Sequence, residues 1–179
     1  MAGTADIDMS RFVAPAAAGD EAAFGRIVIA YHDDMRRVCV VVCGDEGLAE
    51  DAVQAAWSIA WKKLSSLREP GRLRPWLVSV AANQARDLVR KRQRRLDLEF
   101  ASDEPNVPGG LDPATGVDSL DLLTAIRRLE PDDRALLAMR YVAGFNATEL
   151  SVAVGLTPSG TRNRLERLLT SLRRELSDE

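Results

Sequence analysis

"NATELSVAVGLTPSGTRNRLERL", residues 146–168, reads as two helices around a tight turn. Asn146 can cap the first helix, and Glu149, three residues on, completes a capping-box pattern. Gly155 stops that helix. Thr157 is placed to cap the next, and Pro158 suits a first helical position, where an amide proton has no partner anyway. Leu165, Leu168 and Leu172 recur at helical spacing and should face inward. Ser159, Arg162, Asn163 and Arg167 are then the outward candidates. This is helix-turn-helix grammar. The second helix of such a unit enters the major groove, where arginine pairs with guanine and asparagine with adenine in bidentate fashion. A plain helical hairpin with a solvated basic face has the same pattern, so the rest of the chain must decide.

Working upstream, charge is unevenly spread along the 179 residues, although the net value is only −3. Residues 1–60 hold ten acids and four bases, whereas residues 72–95 hold eight bases and one acid. Residues 96–121 hold seven acids and no base, and residues 157–176 five bases and two acids. Two basic stretches separated by an acidic spacer suggest two contacts with a polyanion. The first ends in Arg86, Arg90, Lys91, Arg92, Arg94 and Arg95, opposed only by Asp87. Cations suit a helix C-terminus, but this excess is larger than that role requires. Phosphate contacts would use it for affinity and orientation.

Low aromatic content (5 %) and abundant Ala, Leu, Val and Arg favour an all-α fold. Residues 1–18 read as a disordered tail. Asp20 can cap a helix through "EAAFGRIVIAY", with Phe24, Ile27 and Val28 on one face. A separate helix, "DDMRRVCVVVC", would start on Asp33 and Asp34 and stop at Gly44. A third runs from about Glu46 to Leu64 with an apolar stripe of Leu48, Val53, Trp57, Trp61 and Leu64. The fourth should bury Trp76, Leu77, Val80, Ala81 and Leu88. Residues 96–118, with three prolines and three glycines, read as a flexible acidic linker. Residues 119–176 form a second small helical domain, in which Pro131, Asp132 and Asp133 open a helix.

An enzyme is disfavoured. There is one histidine, no nucleophile elbow, no phosphate loop and no metal-ligand cluster, so neither catalytic residues nor cofactors are expected. Cys39 and Cys43 with His32 are too few ligands for a closed zinc site and read as an apolar helix face. No apolar run is long enough to span a bilayer, and the N-terminus lacks a basic signal region. The expected location is cytoplasmic.

The order "GDEAAFGRIVIAYHDDMRRVCVVVCG", "AEDAVQAAWSIAWKKL", "LRPWLVSVAANQARDLVRKRQRR", an acidic linker, and "AIRRLEPDDRALLAMRYVAGFNATELSVAVGLTPSGTRNRLERLLTSLRREL" resembles the extracytoplasmic-function (ECF) group of sigma-70 RNA polymerase sigma factors. The resemblance covers about residues 19–95, as region 2, and 119–176, as region 4. It implies a transcription initiation factor that binds core RNA polymerase and promoter DNA, with an anti-sigma factor as a further partner by analogy. It assigns Glu50, Asp51, Gln54 and Trp57 to core-polymerase binding. It assigns Arg72, Arg74, Asn83, Arg86, Arg90 and Lys91 to the minus-ten element, and Ser159, Arg162, Asn163 and Arg167 to the minus-thirty-five element. Ala55-Ala56 stands where the family usually carries polar and acidic residues, and "PSGTRNRL" replaces the usual "EGTVKSRL". Gly160 costs a helix roughly 1 kcal/mol relative to alanine. Two other readings stay open: a dimeric helix-turn-helix regulator, and a degenerate sigma-like interaction module.

Overall fold

The structure, a computed structural model, describes residues 8–100 and 117–177. Helices α1 to α8 span Val13–Ala17, Glu21–Cys43, Glu46–Lys63, Leu73–Phe100, Val117–Arg128, Pro131–Leu137, Ala147–Val154 and Pro158–Ser177. The fold is all-α among the described residues, as composition implied.

The caps follow from the residues present. Asp20 accepts from the Ala23 amide at 3.0 Å, and Asp45 from the Leu48 amide at 2.8 Å. Between them α2 closes on Gly44 at φ 67°, a left-handed conformation that favours glycine. Asn146 and Glu149 form the complete capping box. Thr157 accepts from the Gly160 amide at 3.1 Å.

Three expectations need correction. The two helices drawn on either side of Asp33 are one 23-residue helix, α2. No Gly or Pro interrupts it there, and Asp34 binds Arg37 at 2.6 Å and Arg74 at 2.7 Å rather than opening a helix. Within the expected tail, Asp8 caps a 3-10 turn at Met9–Phe12 that leads into α1. Val13 and Ala16 are buried there, and Arg11 and Arg26 lie over the Phe12 ring; residues 1–7 lie outside the described residues. The expected linker is helical at both edges, since α4 continues to Phe100 and α5 begins at Val117; residues 101–116 lie outside the described residues.

The core of the first half is where α2, α3 and α4 pack together. α3 presents Ala49, Ala52, Val53, Ala56 and Ala60, all fully buried. Of the expected stripe, Val53 and Leu64 are buried and Trp57 packs partly buried against the core, whereas Trp61 is exposed and alanines take its place inside. Small residues let backbones approach, and the bulkier Trp57 and Trp61 sit at the margin, edge-on to Phe24. α4 buries Leu77, Val78, Ala81, Ala82 and Ala85, while Trp76, Val80 and Leu88 are partly buried against the same core.

In the second half, α6 runs into a π-helical turn, Ala138–Val142, before α7. Leu136, Met139, Phe145 and Leu150 are its most buried large side chains. Leu165, Leu168 and Leu172 face inward from α8, as their spacing predicts. The halves touch: α6 and the π turn pack on α2 and α4. No described helix is long and apolar enough to cross a membrane.

Candidate nucleic-acid interface

The outer face of α8 is built by its own periodicity. Once Thr161, Leu165, Leu168 and Leu172 turn inward, Arg162, Asn163, Glu166 and Arg167 are exposed. Ser159 is exposed on the first turn, its hydroxyl 3.3 Å from that of Thr157. Asn163, Arg167, Thr170 and Arg174 line one shallow groove along the helix. Thr161 is fully buried, yet its hydroxyl donates to the Thr157 carbonyl at 3.0 Å, so no polar group is stranded. A Cβ at Gly160 would stand 3.1 Å from the Thr157 hydroxyl oxygen that caps the helix.

The basic end of α4 is more constrained. Arg86 donates from Nη1 to Asp132 Oδ1 at 3.0 Å, and Arg90 from Nη2 to Asp132 Oδ2 at 2.6 Å. One carboxylate on α6 thus holds two guanidiniums on α4. Asn83 accepts from Arg86 Nη2, while Arg86 Nε is buried without a partner. Arg74 donates to Asp34 from Nε and to the Ala143 carbonyl from Nη1 at 3.0 Å, joining the halves again. Arg72 pairs locally with Glu69 at 2.8 Å, and Lys91 is exposed. The two basic surfaces thus differ: the one on α8 is open, and the one on α4 is partly neutralised by the second half of the chain.

From sequence the acid pair Asp132-Asp133 reads only as a helix opening. It fills that position, but Asp133 also binds Arg164 at 2.6 Å, fixing α6 to α8, while Asp132 reaches α4. Arg86 and Asp132 are 46 residues apart, and no local pattern marks such a pair.

On α3, Asp51 and Gln54 are exposed, and Glu50, next to Asp51 and one turn before Gln54, is half-buried. Trp57 is half-buried and donates from Nε1 to His32 Nδ1 at 3.4 Å. Ala56, by contrast, is fully buried, so it belongs to the core and not to this surface.

The cysteines sit on the α2 face, as expected. Cys39 is fully buried, its thiol 3.6 Å from the Ala81 carbonyl oxygen. Burial pushes its pKa far up, and that of Cys43 up to about 12. Both shifts favour the neutral thiol over the thiolate. No cluster of metal-ligating residues exists among the described residues.

Comparison with known proteins bears on this arrangement. Residues 27–95 match the family model of Sigma-70 region 2, and residues 119–172 that of Sigma-70, region 4. A probable RNA polymerase sigma factor, RfaY of Xanthomonas campestris, is 30 % identical over 98 % of this chain, which spans 46 % of that protein's length. The RNA polymerase sigma factor CarQ of Myxococcus xanthus is 34 % identical over 73 % of this chain and 76 % of its own. The ECF RNA polymerase sigma factor SigW of Bacillus subtilis is 27 % identical over 89 % of this chain and 92 % of its own. Among solved structures, the sigma factor RpoE, co-crystallised with the anti-sigma factor NepR from Bartonella quintana, aligns with a TM-score of 0.69. That alignment covers 86 % of this chain and 96 % of that one at 21 % identity, a likeness of fold.

Proposed function

This chain belongs to the sigma-70 family, in its extracytoplasmic-function group, and we propose that it brings core RNA polymerase to specific promoters and has no catalytic chemistry of its own. The observation that carries this reading is the pairing of two distinct basic surfaces on one chain. One lies on a helix-turn-helix and the other on the long helix of a separate bundle. Two surfaces on separate units suit two separate promoter elements. A dimeric regulator would need only one surface, repeated by symmetry.

In this reading residues 19–95 form the region 2 domain and residues 119–176 the region 4 domain. Ser159, Arg162, Asn163 and Arg167 read the minus-thirty-five element in the major groove, where their exposure gives them access to base edges. Arg72, Arg74, Asn83, Arg86, Arg90 and Lys91 engage the minus-ten element. Holding an unpaired base costs a few kcal/mol, which a positive surface beside it helps to offset. Glu50, Asp51, Gln54 and Trp57 present α3 to the polymerase. The family's partner class, an anti-sigma factor, completes the proposal, with the cytoplasm as the place of action. Of the two alanines that motivate the degenerate-module reading, Ala56 belongs to the core, while Ala55 is half-buried beside the α3 surface.

Two features of the closed arrangement then acquire meaning. Arg86 and Arg90 face Asp132, so minus-ten engagement by these side chains requires the two halves to separate. The α8 surface needs no such step.

The test is run-off transcription from a genomic fragment library with core polymerase, with and without the protein. Discrete transcripts that appear only with the protein are expected, and their start sites would define both elements. Stable binding to free DNA without polymerase, and no new transcripts, would return the dimeric-regulator reading.

A further inference from the structure

Beside the basic end of α4 lies a cleft between the two halves that the promoter-binding reading does not use. Its volume is about 360 Å³. Three guanidiniums line it: Arg92 from α4, Arg127 from α5 and Arg134 from α6. The end of α2 closes it at Cys43 and Gly44, and the stem of Arg127 crosses the gap to lie over Gly44, 3.5 Å from where a Cβ would stand.

Countercharge is short. Asp45 is the only acid among the described residues of the lining, and its carboxylate already accepts from the Leu48 amide at 2.8 Å and meets Arg92 at 3.5 Å. Arg134 is only 5 % exposed, its Nε is buried without a hydrogen-bond partner, and Glu130, whose charge acts on it, is exposed. The Cys43 thiol, pushed up to about 12 by burial, supplies no negative charge. The C-terminal end of α2 supplies only the partial charge of its last carbonyls. A buried guanidinium in this condition costs free energy unless an acceptor arrives.

We propose that the cleft binds a phosphate group, free or carried on a small molecule, through Arg92, Arg127 and Arg134, and that occupancy clamps the two halves together. Guanidiniums match phosphate oxygens in bidentate geometry, and three around one site suit a multiply charged tetrahedral anion better than a single carboxylate. The volume admits a phosphate ester and not a duplex. Because the ligands come from both halves, the anion binds only the closed arrangement and stabilises it by mass action. Binding itself is independent of the sigma-factor reading; its consequence, a small anion that holds Arg86 and Arg90 against Asp132 and away from DNA, rests on that reading.

The experiment is isothermal titration of the full chain with sodium phosphate, and separately with glycerol 3-phosphate, at ionic strength held constant with sodium chloride. One saturable site per chain is expected, with a rise in melting temperature on saturation. Arg127→Gln, an exposed position whose loss leaves the core intact, should weaken binding about tenfold or more. Arg134→Lys should do the same, while Arg173→Gln, on α8 outside the cleft, should bind as the parent does. Binding of the ester alone would still support the site and assign it to a phosphorylated small molecule. Three results would overturn the proposal: no saturable binding above chloride, binding indifferent to Arg127→Gln, or binding of single-stranded oligonucleotides in place of both small anions. None of these readouts depends on transcription, so failure here leaves the sigma-factor reading standing.

Discussion

Replacing Asp132 by asparagine should open the protein. The change keeps the side-chain volume at the start of α6 and removes the one carboxylate that holds both Arg86 and Arg90. Arg86 is 19 % exposed, Arg90 45 % and Asp132 35 %, so neither pair is fully shielded. An exposed pair contributes about 0.2–1 kcal/mol, and the less exposed Arg86 bond belongs at the upper end of that range. Together they favour the closed arrangement by about 1–2 kcal/mol, a factor of roughly 5–30 in the closed-to-open ratio. The assay is energy transfer between dyes on the two halves, in phosphate-free buffer, with affinity for a short fluorescent single-stranded DNA measured in parallel. Asp132→Asn should lower transfer and tighten DNA binding by up to that factor. The effect should shrink as salt rises, since these charges are partly screened. In a chain already carrying Arg86→Gln and Arg90→Gln, Asp132→Asn should change transfer little, because its partners are gone. Unchanged transfer in the single variant, or an equally large change in the triple one, would refute the idea that this carboxylate holds the halves together.

Other consequences follow from the same contacts. Burial works to raise the Asp34 pKa, but the hydrogen bonds from Arg74 and Arg37 outweigh it, and the carboxyl stays below its ordinary value. Its contribution is therefore present above the unfolded carboxylate pKa of about 4 and lost as pH falls through the lower folded value. Asp34→Asn should cost about 1–2 kcal/mol at pH 7, and the gap to the parent should close below about pH 4 in denaturant titrations. Ala56→Asp would place an unpaired carboxylate in a fully buried helix contact, costing about 3 kcal/mol or more; a melting temperature within a few degrees of the parent would contradict the packing. Cys39 should resist a thiol-reactive dye at pH 8 in the folded chain, in a Cys43→Ser background, and react fully in denaturant; fast labelling of the native protein would contradict its burial. Arg162→Ala and Asn163→Ala should change preference among upstream-element variants by about 1–3 kcal/mol at single positions, whereas a uniform loss across variants would point to phosphate contact alone.

Much of the architecture was legible because its signals are local. A capping box, a left-handed glycine or a proline at the first helical position acts within about four residues, so α7, α8 and the stop of α2 could be placed from the chain alone. The leucine face of α8, and by subtraction its outward polar residues, follows from the 3.6-residue period. Misreadings arose where a local sign had a distant explanation. Asp33-Asp34 looks like a helix start, but Asp34 is held in mid-helix by Arg74, 40 residues on. Trp57 and Trp61 look like the core of α3, yet alanines fill that core because three helices approach closely there.

The sequence by itself determined an all-helical chain in two halves, with two basic surfaces and one helix-turn-helix, because composition, periodicity and caps are properties of neighbours. Only the tertiary structure decided which charges are available. It put Asp132 against Arg86 and Arg90, left the α8 surface open, and gathered Arg92, Arg127 and Arg134 around a cleft with too few acids. Those outcomes depend on pairs tens of residues apart, whose Coulomb and desolvation energies exist only once packing has set their distances and removed the water between them.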